Sequence, residues 1–264
     1  MARSALLNIM VQAAQKAGRS LVRDFGEVEN LQVSRKGPAD FVSNADRKAE
    51  QIVHDELRKA RPTYAFLMEE AGEIRGTDGQ HRFIVDPLDG TTNFLHGIPL
   101  FCVAIALERA GEIVASVVYN PIMDELFSAE KGSGAWLNDR RRVRVAGRRH
   151  LADCVIGTGI NARGTEGDAL QLRQMSQILP ATAGIRRSGS ASIDLAWLAA
   201  GRYDGFWEAQ LQPWDIAPGW LLLREAGGTM TDYAGTPGSI ANGQVVAGNE
   251  IVQGELLKLV KSIK

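Results

Sequence analysis

The stretch FIVDPLDGTT at residues 83–92 constrains this chain most, because an apolar strand runs directly into two carboxylates, Asp86 and Asp89. A carboxylate buried without a partner is costly, so the end of that strand must open on solvent or on a cation. Pro87, Asp89 and Gly90 are turn formers. A turn placed immediately after Asp86 fans both carboxylates and the Leu88 carbonyl to one side, and such oxygens suit a hard cation such as Mg²⁺. Gly90, Thr91 and Thr92 read as a helix start whose N–H groups can receive an anion. A solvated turn capped by threonine is the alternative reading of the same residues.

The rest of the chain alternates helices and strands. Leu6, Met10, Ala13, Ala14, Ala17, Leu21 and Phe25 recur at helical spacing, so an amphipathic helix opens the chain. Gly37 and Pro38 mark a loop. A second helix is expected over 43–59, with Ala45, Ala49, Ile52, Val53 and Leu57 inward. YAFLM and HRFIVD read as short buried strands, and residues 101–120 and the stretch ELFSAEKGSGAWL as hairpins. Beyond Arg149, DCVIGTG reads as a strand, 169–179 and SASIDLAWLAAG as helices, and YDGFWE as a strand. WDIAPGWLLLREAGG is a helix closed by Gly227 or Gly228, followed by two strands and a last helix. This mixture implies an α+β or layered α/β fold. The 264 residues read as one domain, with a seam near 140–151 between an N-terminal lobe, 1–145, and a C-terminal lobe, 146–264.

Two more acidic stations join Asp86 and Asp89. Glu69 and Glu70 end the YAFLM strand. Asp215, in PWDIAPGW, falls where an N-cap is expected, with Pro218 inside the first helical turn, where proline is tolerated. Exposure explains the first and capping the second. Neither explains why all three stations fall at strand ends or helix starts. Asp46, three residues after Ser43, also fits a capping box.

Taken together, DPLDGTTNF, the Glu69-Glu70 pair upstream and WDIAPG downstream resemble the inositol monophosphatase family, bacterial inositol-1-monophosphatases in particular. The similarity extends through RRSGSASIDLAWLAAGRYDGFWE and LREAGGTMTD and so spans nearly the whole chain. It implies an α-β-α-β-α sandwich of the sugar-phosphatase type, and a homodimer. The implied activity is Mg²⁺-dependent, lithium-sensitive hydrolysis of a phosphate monoester, with myo-inositol monophosphate the first substrate. By motif position, Glu69, Asp86 and the Leu88 carbonyl would hold one ion, Asp86, Asp89 and Asp215 a second, and Glu69 would touch a third. Glu69 and Thr91 would orient the attacking water, with Asp46 behind Thr91. Gly90 and Thr91 would cradle the phosphate, while Asp89, Ala191 and Glu208, beside Asp215, would meet the substrate's hydroxyls. Met68 before the glutamates and Pro218 in the helix depart from the usual pattern, and GTGINARG lacks a proline that often follows its strand.

No other phosphatase chemistry is encoded. Neither Cys102 nor Cys154 is followed by arginine six positions on, Asp86 and Asp89 are not spaced D-x-D, and His54, His81, His96 and His150 read mostly as surface residues. The same metal motifs serve fructose-1,6-bisphosphatases, histidinol-phosphate phosphatases and 3′-phosphoadenosine phosphatases; Glu208 and GSASIDLAW favour the inositol type. A nucleic-acid or transcription partner is the other class, suggested by RRRVRVAGRR at 140–149. A solvated strand edge kept from pairing by charge explains that run equally. A net charge of −1, no apolar run of membrane length, no leader-like N-terminus and two distant cysteines imply a soluble cytoplasmic protein.

Overall fold

Helix α1 (Ala5–Phe25) opens the computed structural model, which describes residues 3–25, 33–37, 40–160, 166–238 and 240–263. After it come β1 (Val33–Gly37), β2 (Asp40–Ser43) and α2 (Asn44–Ala60). Then follow β3 (Ala65–Met68), β4 (Gly72–Ile74), β5 (His81–Asp89), the short α3 (Thr91–Leu95), β6 (Cys102–Arg109), β7 (Glu112–Asn120), β8 (Glu125–Glu130), β9 (Gly134–Leu137) and β10 (Arg141–Val143). The remainder is β11 (Val155–Thr158), α4 (Glu166–Ile178), β12 (Gly184–Arg186), α5 (Ala191–Ala199), β13 (Gly205–Glu208), α6 (Pro213–Glu225), β14 (Thr229–Thr231), β15 (Val245–Gly248) and α7 (Glu250–Ser262).

The strands form an eight-stranded sheet, ordered β10-β9-β8-β7-β6-β5-β3-β4, and a five-stranded sheet, ordered β12-β11-β13-β15-β14; β1 and β2 pair separately. Successive side chains on a strand face opposite ways, and this alternation sorts the layers. On β6, Val103, Ile105 and Leu107 pack with α1 and α2, whereas Cys102, Ala104 and Ala106 face the core built around α5 and α6. On β13 and β15, Phe206, Val245 and Ala247 join that central core, while Trp207 and Val246 turn outward toward Ile178 of α4 and Leu256 of α7. The order is therefore helix pair, sheet, helix pair, sheet, helix pair, the expected layered α/β arrangement.

Position in the stack explains each helix. α1 and α2 bury one stripe each. α5, between two sheets, is buried on nearly all sides, as an apolar helix in a core must be. α6 closes as expected, with Gly227 N–H on the Arg224 carbonyl and Gly228 N–H on the Leu223 carbonyl.

Three expectations are corrected. Gly37, expected in a loop, ends β1 and pairs with Asp40 of β2, while Pro38 lies outside the described residues. β5 does not turn after Asp86 but runs on to Asp89 through a bulge: Asp86 pairs with Ala104 and Asp89 with Cys102, so Pro87 and Leu88 stand opposite Val103 alone. Proline cannot donate to a ladder, and a bulge is where a strand admits it. In α6, Pro213 takes the first helical position, which puts Asp215 at the third rather than at the N-cap and Pro218 beyond the first turn. Met68, unusual before the glutamates, fills the core under α2.

Small residues on β6 set how closely the central helices approach. Ala104→Leu is expected to destabilise the fold by about 1–3 kcal/mol through overpacking, read as a lowered urea midpoint.

Candidate active site

One cleft, with a volume of about 390 Å³, collects the acidic stations. Glu69 enters it just past β3, held on the sheet by its N–H to the Val85 carbonyl, 3.2 Å. Asp86 and Asp89 come from the two sides of the β5 bulge, and Asp215 from the first turn of α6. Asp194 and Glu208 complete six carboxylates, faced among the described lining residues by one guanidinium, that of Arg187.

Each central carboxylate is fixed by a backbone amide. Asp86 Oδ1 accepts from Leu88 N–H at 3.0 Å, Asp89 Oδ2 from Ser192 N–H at 2.6 Å, and Asp215 Oδ2 from Gln212 N–H at 2.7 Å. Asp215 therefore ties down the N-cap backbone and faces the cleft at once. Burial pushes Asp86 well above the usual carboxylate range, and the negative charges of Glu69, Asp89 and Asp215 push it further. Burial likewise raises Asp215, with Asp89 the next cause, and raises Asp89 against the amide donors that oppose the shift.

Asp46 is fully buried in the first turn of α2, and its Oδ1 accepts from Thr91 Oγ1 at 3.0 Å. The Thr91 hydroxyl also lies 3.1 Å from the Leu88 carbonyl. α2 makes a second attachment one turn on, where Glu50 Oε2 accepts from Glu70 N–H at 2.8 Å. Gly90 takes the left-handed conformation that starts α3 (φ 100°), and a Cβ there would meet the Leu100 carbonyl at 2.9 Å. Only glycine fits.

The far wall comes from the second sheet. Glu208 ends β13, buried, and its carboxyl lies against Gly159, where a Cβ would approach Glu208 Oε1 to 2.1 Å. Ala191 opens α5 beside Ser192. Asn93 joins the two walls, donating through Nδ2 to the Leu100 carbonyl at 2.6 Å and the Ser188 carbonyl at 2.8 Å. Glu69, Asp86, Leu88, Asp89, Gly90, Thr91, Ala191, Glu208 and Asp215 thus line one cleft, and Asp46 lies behind it, reaching it through Thr91. Sequence reasoning missed Glu50, Asn93, Gly159, Ser192 and Gln212. Of these, only Glu50 left a local signal, one helical turn beyond Asp46 on the same face.

The donor set fits a hard divalent cation: carboxylate and carbonyl oxygens, crowded and short of positive charge. Among the described residues no three His, Cys, Asp or Glu side chains are grouped so as to hold an ion by themselves. The histidines stay out of the cleft. His96 and His150 are exposed, but the expectation of surface residues fails for two others: His81 stacks on Tyr64 and bonds Asp78, and His54 packs on Phe66. In the basic run, β10 is a sheet edge; Arg148 pairs with Asp204 at 2.9 Å, and the other arginines point into solvent. Residues 161–164, where the missing proline was noted, lie outside the described residues.

A model of the inositol monophosphatase family matches residues 2–264. An inositol-1-monophosphatase of Mesorhizobium japonicum is 63% identical over 261 residues, covering 99% of this chain and 98% of that protein. The Escherichia coli K12 protein described as Nus factor SuhB is 41% identical over 244 residues, 92% of this chain and 91% of its own. The solved inositol monophosphatase from Anabaena (Nostoc) superposes with a TM-score of 0.85 at 35% identity, over 98% of this chain and 96% of that one.

The Thr91–Asp46 contact generates a test. Asp46→Asn keeps a hydrogen-bond acceptor but removes a charge. It is expected to leave the melting temperature nearly unchanged and to lower kcat at least tenfold, about 1.4 kcal/mol of barrier. A variant that melts early yet turns over normally makes Asp46 a helix cap only.

Proposed function

The chain belongs to the inositol monophosphatase family and is a phosphoric monoester hydrolase, and from that premise we propose that it releases phosphate from a myo-inositol monophosphate with Mg²⁺ as cofactor. The family is metal-dependent. The observation that carries the reading is the concentration of six carboxylates in one cleft beside the Gly90–Thr91 helix start.

In this reading Glu69, Asp86 and the Leu88 carbonyl would hold one ion, Asp86, Asp89 and Asp215 would hold a second, and Glu69 would also serve a third. When bound, the ions supply Lewis-acid polarisation of the phosphoryl group and acidify a water. The Thr91 hydroxyl, donating to Asp46, leaves its lone pairs to accept from that water, and with Glu69 aims it in line with phosphorus. Gly90 and Thr91 N–H groups receive phosphate oxygens. As the new P–O bond forms, the bond to the alcohol oxygen breaks, and the alcohol leaves with a proton. Asp89, the Ala191 N–H and Glu208 hold the alcohol's hydroxyls.

A substrate panel tests the proposal. With Mg²⁺, inositol 1-phosphate should show the highest kcat/KM among itself, fructose 1,6-bisphosphate, histidinol phosphate and 3′-phosphoadenosine 5′-phosphate. A tenfold preference for any other would reassign the alcohol within the same chemistry.

A second reading has one observation in its favour. Arg140, Arg141, Arg142, Arg144 and Arg149 lie exposed at and around the β10 edge, and a relative carries the name Nus factor SuhB. Binding to RNA with a salt slope that disappears when these arginines become alanine would support an added role in transcription complexes. No helix among the described residues is long and apolar enough to cross a membrane; two buried thiols fit the cytoplasm, and a homodimer is the proposed assembly.

Four outcomes follow. Chelator-treated protein should lose activity and regain it with Mg²⁺. Asp89→Asn should fold yet lose at least tenfold in kcat, since an amide oxygen is a poorer ligand; near-normal turnover in either case would remove the metal assignment. Lithium at millimolar concentration should inhibit uncompetitively, and insensitivity would mean an altered second metal position. Gly159→Ala, which must displace the Glu208 carboxyl, and Glu208→Gln should both raise KM for inositol phosphate. Losing that charged contact costs about 1.5–3 kcal/mol, and an unchanged KM in both variants would release Glu208 from the alcohol.

A further inference from the structure

Asp194 lines the same cleft and takes no part in the chemistry above. It lies in the first turn of α5, three residues past Ala191, so it projects from nearly the same helix face. The helix does not need it as a cap, because Ser190 Oγ accepts from Ile193 N–H at 3.4 Å. Asp194 is 1% exposed, and its Oδ1 is buried with no hydrogen-bond partner among the described residues. A buried carboxylate oxygen left without a donor is costly, and neighbours of this type usually explain such an atom. No described side chain supplies that donor, and the residue itself lines the cleft.

The surroundings define what can approach. The Ser188 hydroxyl nearby is spent on the Ser190 carbonyl at 3.1 Å, Tyr203 stands close, and Arg187 supplies positive charge beside the carboxyl. Glu208 stands close enough for Asp194 to be the main charge acting on it. A phosphate oxygen, negative itself, has no place against two carboxylates. With Arg187 already balancing charge, the fitting donor is a neutral hydroxyl.

We propose that Asp194 reads the alcohol: its carboxylate, on the cleft wall, accepts a hydrogen bond from a substrate hydroxyl alongside Glu208, so the cleft selects phosphate esters of polyols that offer two hydroxyls to one wall. Asp194 is then a specificity-determining residue. The assignment rests on the phosphatase reading of the cleft.

The test compares inositol 1-phosphate with phenyl phosphate, which has no free hydroxyl on its alcohol portion, in the purified enzyme with Mg²⁺. In Asp194→Ala the ratio of kcat/KM for the two esters should fall at least tenfold, with the loss in KM for inositol phosphate. Asp194→Asn, which keeps an acceptor, should recover part of that ratio. If Asp194→Ala does not fold, Asp194→Asn decides alone, with a fall of at least threefold expected. A folded variant that loses activity equally on both esters, or on neither, overturns the proposal and makes Asp194 an internal brace. Wild-type protein inactive on both esters would instead strike the phosphatase reading on which the proposal stands.

Discussion

Repulsion among buried carboxylates governs this structure. Asp86, Asp89 and Asp215 would separate if their backbones allowed it, since burial disfavours all three as anions and neighbouring carboxylates add to it at Asp86 and Asp215. They are held by position. Two lie on either side of a proline bulge, the third in a helix's first turn, and each is tied by an amide, from Leu88, Ser192 and Gln212. Beneath them lie close-packed apolar layers whose strands end at the cleft. Function is bought at a cost in local stability, and the layered core supplies the rigidity that such crowding demands.

Much of the frame was legible because it is locally encoded. The β6–β7 and β8–β9 hairpins follow from alternating apolar runs about short turns, and α5 from an apolar stretch too uniformly buried for a surface helix. The acidic stations were visible as carboxylates at element ends. The bulge at Pro87 was not, because a bulge is a relation between two strands, and Val103 opposite it is remote in sequence. The same holds for Asn93 and Ser192, whose partners lie 95 and 103 positions away. The registration of α6 was misjudged by local logic: Pro213 preferred the first helical position and displaced Asp215 from the cap. The histidines were read mostly as surface residues, and aromatic neighbours partly bury two of them, His54 and His81.

The walls of the cleft have different origins. The wall from the first sheet carries bulge, α3 and the Thr91–Asp46 pair; the wall from the second carries Glu208, Asp194 and the start of α5. The first is built from backbone irregularity and could serve phosphate esters of many kinds. The second is built from side chains on regular elements, where substitution alters what is recognised without disturbing the scaffold.

Asn93 gives this division a practical meaning. Its single amide group spans from the Leu100 carbonyl to the Ser188 carbonyl, one from each wall. A backbone cut in the connection between β10 and β11 would leave Asp46, Asp86, Asp89 and Thr91 on one fragment and Ser192, Glu208 and Asp215 on the other. Each piece would hold half of a catalytic centre and be inert, so turnover would report only their reunion, with Asn93 as the latch that registers one piece on the other.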